Sequence, residues 1–174
     1  MNIKDLKVLF SEDEIQSRIK EMANELNNKF KGEEVIAVCV LKGAVMFAVD
    51  LAKRLEMPVS MEFIRLSSYG SATVSSGLVN AVDISLPNLN DKNVIIIEDI
   101  VDTGLTARFL LDFINSNFET KSTTFCALLD KKMTRKIDIE PDYYCFDVDD
   151  KFIVGYGLDL DQEYRNLPYL GYIE

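Results

Sequence analysis

The 174-residue chain contains no histidine. That absence removes the Ser–His–Asp and Cys–His triads and every zinc site built with imidazole. Proton transfer near neutral pH is left to a carboxylate, Lys, Tyr or Cys. Cysteine is scarce as well: Cys39, Cys126 and Cys145, an odd number with no CxxC pair. A disulfide framework is not expected, and a reducing, cytoplasmic setting is. Cys39 and Cys126 sit in apolar runs and read as small buried hydrophobes. Long apolar runs are missing too: the longest clean one, Val35 to Leu41, falls far short of the ~20 residues that cross a bilayer. The opening MNIKDLKVLFSEDE has no apolar stretch of the kind a secretory signal carries. Basic residues number 19 against 29 acidic, a net charge of −10. That is the wrong sign for a chain that neutralises nucleic-acid phosphates or docks on an anionic membrane.

What is present suits one globular domain over residues 1–174. The chain is 48% hydrophobic with ten Phe, enough for a core at this length. Ser11 and Glu14 form a capping-box pair, and Ile15, Ile19, Met22, Leu26 and Phe30 follow at helical spacing, with Gly32 as the stop. Val35–Leu41, Val94–Ile97 and Thr123–Leu129 are short apolar runs that read as strands covered on both faces. Val59, Met61 and Phe63 alternate with polar residues as in a half-buried strand, and shorter strands are expected at 143–146 and 152–154. Residues 44–55 and 104–118 are expected to be helical. Between them SSYGSATVSSG, residues 67–77, has no periodicity and reads as a surface loop. Buried strands alternating with amphipathic helices predict an α/β domain with a mostly parallel central sheet flanked by helices. Ligands of such sheets sit at the carboxyl ends of the strands, which directs attention to Lys42-Gly43, Glu98–Thr106 and the segment after Leu129.

The segment VIIIEDIVDTGLT, residues 94–106, carries the strongest chemical signal. A buried strand ends in Glu98-Asp99, and Asp102-Thr103-Gly104-Leu105-Thr106 leads into a helix. Gly104 permits a tight turn and close approach of the backbone to a ligand. Free amides at the helix start, with two Thr hydroxyls, form a phosphate cradle. Acids beside a phosphate make sense when sugar hydroxyls or a hard divalent cation lie between them. The same residues also suit a plain strand end whose acids cap a helix.

The pattern hydrophobic–Glu-Asp-x-x-Asp-Thr-Gly-x-Thr resembles the phosphoribosyl-diphosphate signature of type I phosphoribosyltransferases, nearest to their 6-oxopurine branch. Four further blocks in the same order resemble that branch: Leu41-Lys42-Gly43, Ser68-Tyr69-Gly70, Asp130-Lys131, and Asp150 through Asp159, followed by Tyr164-Arg165-Asn166-Leu167-Pro168. The resemblance spans about Val8 to Ile173. It implies the type I fold, with a flexible lid at about 67–80 and a small hood formed by chain-terminal segments including about 145–174.

The resemblance also implies an activity: transfer of a phosphoribosyl group from phosphoribosyl diphosphate to hypoxanthine or guanine, with Mg²⁺, in purine salvage. On this chain Asp102 becomes the general base. Glu98, Asp99, Thr103, Gly104, Leu105 and Thr106 bind the ribose and 5′-phosphate. Lys42, Gly43 and Arg165 bind diphosphate, and a cis peptide is implied between Leu41 and Lys42. Lys131, Phe152, Ile153 and Asp159 bind the purine. Ser68 and Tyr69 belong to the lid, and Glu98, Asp99 and Asp159 serve the metal. Partners are small molecules, not nucleic acid or membrane, and a homodimer or homotetramer is implied. The chain departs from the family at Leu105, where a polar or basic residue is common, and at Asp149, where proline is common. Two rival readings are a nucleotide-sensing regulator on the same fold without useful catalysis, and a receiver-type acidic pocket using Asp99 and Asp102. The second leaves Lys42-Gly43, Lys131 and the hood unexplained.

Overall fold

The computed structural model describes residues 6–68 and 79–173. Its elements run β1 (Lys7–Phe10), α1 (Glu12–Lys29), β2 (Val35–Leu41), α2 (Val45–Ala52), β3 (Val59–Ser68), β4 (Val79–Asp83), β5 (Asn93–Val101), α3 (Leu105–Asn117), β6 (Ser122–Asp130), β7 (Tyr143–Asp147), β8 (Phe152–Val154) and β9 (Leu170–Ile173). A single-turn 3-10 helix, Lys132–Thr134, follows β6.

Local sequence explains the helices. Ser11 accepts from the Glu14 amide while the Glu14 carboxylate accepts from the Ser11 amide, so the expected capping box forms and α1 starts there. Three acids in its first turn and Lys29 in its last complement the helix dipole. Gly32, at φ +78°, takes the left-handed conformation just beyond the helix end.

The main sheet has the order β4-β3-β2-β5-β6-β7. Strands β3, β2, β5, β6 and β7 are parallel, and β4 returns antiparallel to β3. The apolar runs are two-faced. Ala37, Cys39, Ile95, Ile97, Cys126 and Leu128 pack with α1 and α2. Val38, Val40, Val94, Ile96, Phe125 and Ala127 pack with Leu110 and Ile114 of α3. A strand with helices on both faces has no solvent side to mark with polar residues, which is why these runs do not alternate. All three cysteines are buried and free, as the apolar context of two of them suggested.

A second sheet, antiparallel in the order β1-β9-β8, joins the two ends of the chain. Strand β1 was not expected, because four residues carry too little periodicity to be recognised alone. Strand β7 stays in the main sheet through Asp147, so the small sheet draws on residues beyond it and on β1.

Two boundaries differ from the sequence reading. The strand at Val94 does not end at Glu98-Asp99 but runs on to Val101, its ladder to β6 pairing Glu98 with Ala127 and resuming at Ile100 beyond Asp99. Ser67 and Ser68, expected in the loop, belong to β3 and pair with Asn80 and Val79 of β4. Paired ladder bonds override the weak local preference of Ser for turns. The remainder of the expected lid, including Tyr69, lies outside the described residues.

Candidate active site

The chain leaves β2 for β3 on one side of the sheet and returns to place β5 on the other. The order therefore reverses between β2 and β5, and open α/β sheets hold ligands outside the strand ends at such a point. Strands β2, β5 and β6 are neighbours, so their carboxyl ends bring Lys42-Gly43, the 102–104 loop and Lys131 side by side.

Two adjoining clefts open there. One of about 260 Å³ is lined by Asp102, Lys131, Phe152 and Ile153, together with Asp99 and Asp159. The other, about 270 Å³, is lined by Lys42, Gly43, Glu98, Thr106 and Arg165, again with Asp99 and Asp159. The two acids common to both clefts stand at their junction. The charged blocks singled out in the described sequence converge on this place.

At the end of β2 the Leu41–Lys42 peptide is cis. Gly43 is packed against Asp99 so closely that a Cβ there would overlap the carboxylate oxygen Oδ2. On the other side the Gly43 carbonyl meets Gly157, where φ is +105° and a Cβ would overlap that carbonyl. Gly157 was not singled out from sequence; only the meeting of two distant segments reveals it. Lys42 Nζ donates to Gln162 Oε1 at 2.8 Å. Gln162 in turn donates from its backbone amide, at 2.8 Å, and from its side-chain amide, at 3.2 Å, to Asp159 Oδ2. Asp159 Oδ1 pairs with Arg165 at 2.6 Å, and Arg165 Nη1 donates to the Gly157 carbonyl at 2.6 Å. Arg165 Nε is buried without a partner, an open donor in a cleft suited to an anion.

Glu98 is buried, and its Oε2 has no hydrogen-bond partner. Burial first, then the neighbouring Asp99 carboxylate, push Glu98 well above the usual carboxylate range. Burial also raises Asp99, whose Oδ1 accepts from the Ile100 amide at 2.9 Å. A buried acid with an orphaned oxygen beside a second acid is a donor set made for a hard cation or for hydroxyl groups. Among the described residues no three acids gather closely enough to hold a metal alone. Magnesium commonly takes one or two carboxylates and completes its shell with substrate oxygens, so the residues present fit it on those terms.

The loop after β5 turns at Gly104, φ +84°, and a Cβ there would strike Ile139. Helix α3 begins at Leu105 with no side-chain cap, leaving first-turn amides available apart from a 3.4 Å contact between the Leu105 amide and Thr103 Oγ1. Thr106 lines the second cleft, while Thr103, Gly104 and Leu105 form the turn beneath it. Asp102 is exposed at the first cleft, and its Oδ1 accepts from the Thr134 hydroxyl. Lys131 is almost wholly buried, and its Nζ pairs with Asp150 at 2.6 Å. Phe152 is 53% exposed at the rim, a large apolar face with little to cover it, while Ile153 is buried beside it. Asp149, at a departure from the family pattern, accepts from the Lys151 amide at 2.7 Å and so still turns the chain into β8.

Sequence reasoning missed Arg135. Its guanidinium donates to the carbonyls of Val101, Asp102 and Ile139 and pairs with buried Asp130. It is thus the strut beneath the 101–104 turn. A basic residue in a lysine-rich turn gives no local sign of this role.

A parallel sheet with paired acids near the end of β5, an uncapped helix start and a cleft where Lys42 and Arg165 face those acids at its switch point is the architecture of a phosphoribosyl-transferring enzyme. A family model for the phosphoribosyl transferase domain matches residues 9–161, and the chain belongs to that family. It is 44% identical over 172 residues to the hypoxanthine-guanine phosphoribosyltransferase of Streptococcus thermophilus, covering 98% of this chain and 95% of that one. It is 43% identical over 168 residues to the enzyme of the same name from Bacillus subtilis, covering 97% and 93%. The crystal structure of a hypoxanthine phosphoribosyltransferase from Staphylococcus aureus superposes with a TM-score of 0.92 at 39% identity, covering 98% of this chain and 93% of that one.

Proposed function

We propose that this chain transfers the 5-phosphoribosyl group of phosphoribosyl diphosphate to hypoxanthine or guanine, yielding IMP or GMP and diphosphate, as a purine-salvage enzyme. The observation that carries the reading is the pair of clefts joined at Asp99 and Asp159, one with a base and a lysine, the other with Lys42 and Arg165 facing acidic residues. Full-length relatives named hypoxanthine-guanine phosphoribosyltransferase support the substrate class.

In this reading the purine enters the first cleft and stacks on Phe152, with the backbone of Ile153 at its edge. Lys131 donates to the 6-oxo group, since an ammonium has three donors and no acceptor. Asp102 takes the proton from purine N7; the N–H electron pair stays on the ring as another ring nitrogen attacks the anomeric carbon and diphosphate departs. The amides and hydroxyls from Thr103 to Thr106, Gly104 and Leu105 included, hold the 5′-phosphate. Glu98 and Asp99 take the ribose hydroxyls, and their carboxylates stabilise positive charge developing on the sugar. Lys42, the Gly43 backbone and Arg165 receive diphosphate. Glu98, Asp99 and Asp159 would hold Mg²⁺, which supplies charge neutralisation for the departing diphosphate. Ser68, the last residue of β3, leads into the segment that this reading assigns as a lid excluding water.

No described helix is long and apolar enough to cross a membrane. We place the enzyme in the cytoplasm on its free cysteines. Met46 and Val49 on α2 and Phe63 on β3 leave apolar side chains exposed, which supports assembly into a homodimer or homotetramer.

The test is to mix the protein with phosphoribosyl diphosphate, Mg²⁺ and each of hypoxanthine, guanine, xanthine and adenine, and to follow diphosphate release and monophosphate formation. Release with a 6-oxopurine is expected. Binding of nucleotide with no diphosphate released from any base would favour the regulatory reading instead.

A further inference from the structure

Thr134 stands at the end of the 3-10 turn that begins one residue after Lys131. Its hydroxyl reaches two places at once. It donates to Asp102 Oδ1, and it lies 3.2 Å from the main-chain carbonyl of Lys131. A hydroxyl has one proton and two acceptor lone pairs, and a carboxylate draws that proton more strongly than a neutral carbonyl does. Thr134 therefore fixes one carboxylate oxygen of Asp102. Among the described residues no side chain bonds to the other oxygen, Oδ2, which stays available at the cleft.

The main chain of Asp102 is held from the same turn. Arg135 Nε donates to the Asp102 carbonyl at 3.0 Å, and the Lys136 amide donates to the Thr103 carbonyl at 3.0 Å. The Lys131 amide likewise donates to the Val101 carbonyl at 3.0 Å. Loop 101–103 and turn 131–136 are thus laced together, with Arg135 holding the main chain and Thr134 the Asp102 carboxylate.

The chemistry of the substrate gives the Thr134 contact a purpose. In a 6-oxopurine O6 and N7 lie next to each other on one edge of the ring. An enzyme that grips O6 with one residue and deprotonates N7 with another must hold those residues at a fixed spacing. We propose that Thr134 is a positioning residue that locks the Asp102 carboxylate in register with Lys131, so that Oδ2 meets N7 when Lys131 holds O6. This rests on the reading of Asp102 as the general base. The distance over which a proton moves is short, and a small misplacement of a reacting group is costly. The loss should therefore fall on turnover and not on binding.

The test is steady-state and single-turnover kinetics of Thr134→Val, Thr134→Ser, Asp102→Asn and the Asp102→Asn/Thr134→Val double variant. Thr134→Val should lower kcat for hypoxanthine about tenfold, with KM for phosphoribosyl diphosphate and the melting temperature nearly unchanged. Thr134→Ser should keep at least about half of the wild-type kcat, because it restores the donor. In the Asp102→Asn background Thr134→Val should cost less than about twofold further, since the group it positions is gone. A Thr134→Val enzyme within about twofold of wild type overturns the proposal. So does an equal loss in both backgrounds, or a Ser variant as poor as the Val one. If Val at 134 does not fold, Thr134→Ala is read against the same criteria. Asp102→Asn that stays active would instead overturn the reading of Asp102, whereas an inactive Asp102→Asn with an unimpaired Thr134→Val overturns the role of Thr134 alone.

Discussion

Gly157 lies against the main chain of Gly43, so close that a Cβ at position 157 would overlap the Gly43 carbonyl oxygen. Gly43 is in turn so close to Asp99 that a Cβ at 43 would overlap the carboxylate. Three segments far apart in sequence thus touch at the point where the two clefts join. The absence of side chains at two of them is what lets the Lys42-Gly43 loop, Asp99 of β5 and the segment after β8 share one small volume.

Gly157→Ala should therefore damage catalysis more than its added carbon implies. The Lys42-Gly43 loop would have to move, and a shift of about 1 Å near the chemistry can cost on the order of 10² in rate. We expect kcat/KM for phosphoribosyl diphosphate to fall at least about tenfold. Gly32→Ala is the control: Gly32 is also in the left-handed region, but a Cβ there meets nothing within 4 Å. It should lower the melting temperature and leave kcat/KM alone. Equal kinetic losses in the two variants would show that backbone strain, and not the 157–43 contact, is responsible.

Turnover should require Mg²⁺ or Mn²⁺. A chain of net charge −10 and a diphosphate must otherwise meet without neutralisation, and Glu98 keeps an unpartnered buried oxygen in the cleft. Excess chelator should abolish activity and added Mg²⁺ restore it. Asp159→Ala should raise the Mg²⁺ concentration needed for half-maximal rate, whereas Glu119→Ala, an exposed residue after α3, should not. Full activity in excess chelator would refute the metal requirement.

Lys131 should decide between 6-oxo and 6-amino purines. Against adenine its ammonium faces another donor, and sites built around a polar contact reject the mismatched analogue by roughly 10⁴. We expect adenine to be poorer than hypoxanthine by at least about 10³ in kcat/KM. Lys131→Met should narrow that gap by slowing hypoxanthine and not by speeding adenine. Nζ also pairs with Asp150 at 2.6 Å, and its remaining N–H donors serve the base. Competition between the two bases at equal concentration, reading the monophosphates formed, checks this; adenylate within about tenfold of inosinate would remove Lys131 as the discriminator.

Tyr156 ties the hood to the body of the enzyme. Its hydroxyl donates to Asp50 Oδ2 at 2.6 Å, and Gln16 donates to the same oxygen at 2.8 Å. Burial alone would raise Asp50, but these donors outweigh it and hold the carboxyl below its ordinary value of 3.8. A carboxyl held low in the folded state stabilises the fold above that value and loses its contribution as pH falls below it. Tyr156→Phe should cost about 1.5–3 kcal/mol at pH 7, or roughly 5 °C in melting temperature. The gap between variant and wild type should narrow below about pH 3.8. Thermal melts from pH 7 down to pH 3 measure it, and a gap independent of pH would assign the loss to packing instead.

Much of this architecture is legible in the sequence. The two-sided strands announce themselves by unbroken apolar runs, and α1 by a capping box and a four-turn stripe. The end of β5 was misread because Glu98 and Asp99 look like the polar residues that close a strand. In the sheet the strand continues through them, carried by pairing of Glu98 with Ala127 and of Ile100 with Leu129. Ser67 and Ser68 were misread for the same reason: strand pairing is a contact between distant segments, which local composition does not record.

By itself the sequence determined the fold class, the strands that form the core and the residue types assembled at their carboxyl ends. A covalent neighbourhood such as EDIVDTGLT fixes its own turn and helix start, so its chemistry can be read locally. Only the tertiary structure decided which distant residues meet. It set Gly157 on Gly43, ran Arg135 beneath the 101–104 turn and brought the Thr134 hydroxyl onto Asp102. The physical reason is that a close approach of backbones, or a hydrogen bond across 32 residues of chain, is a property of packing and register. Those are settled by the whole core at once, and no single segment carries them.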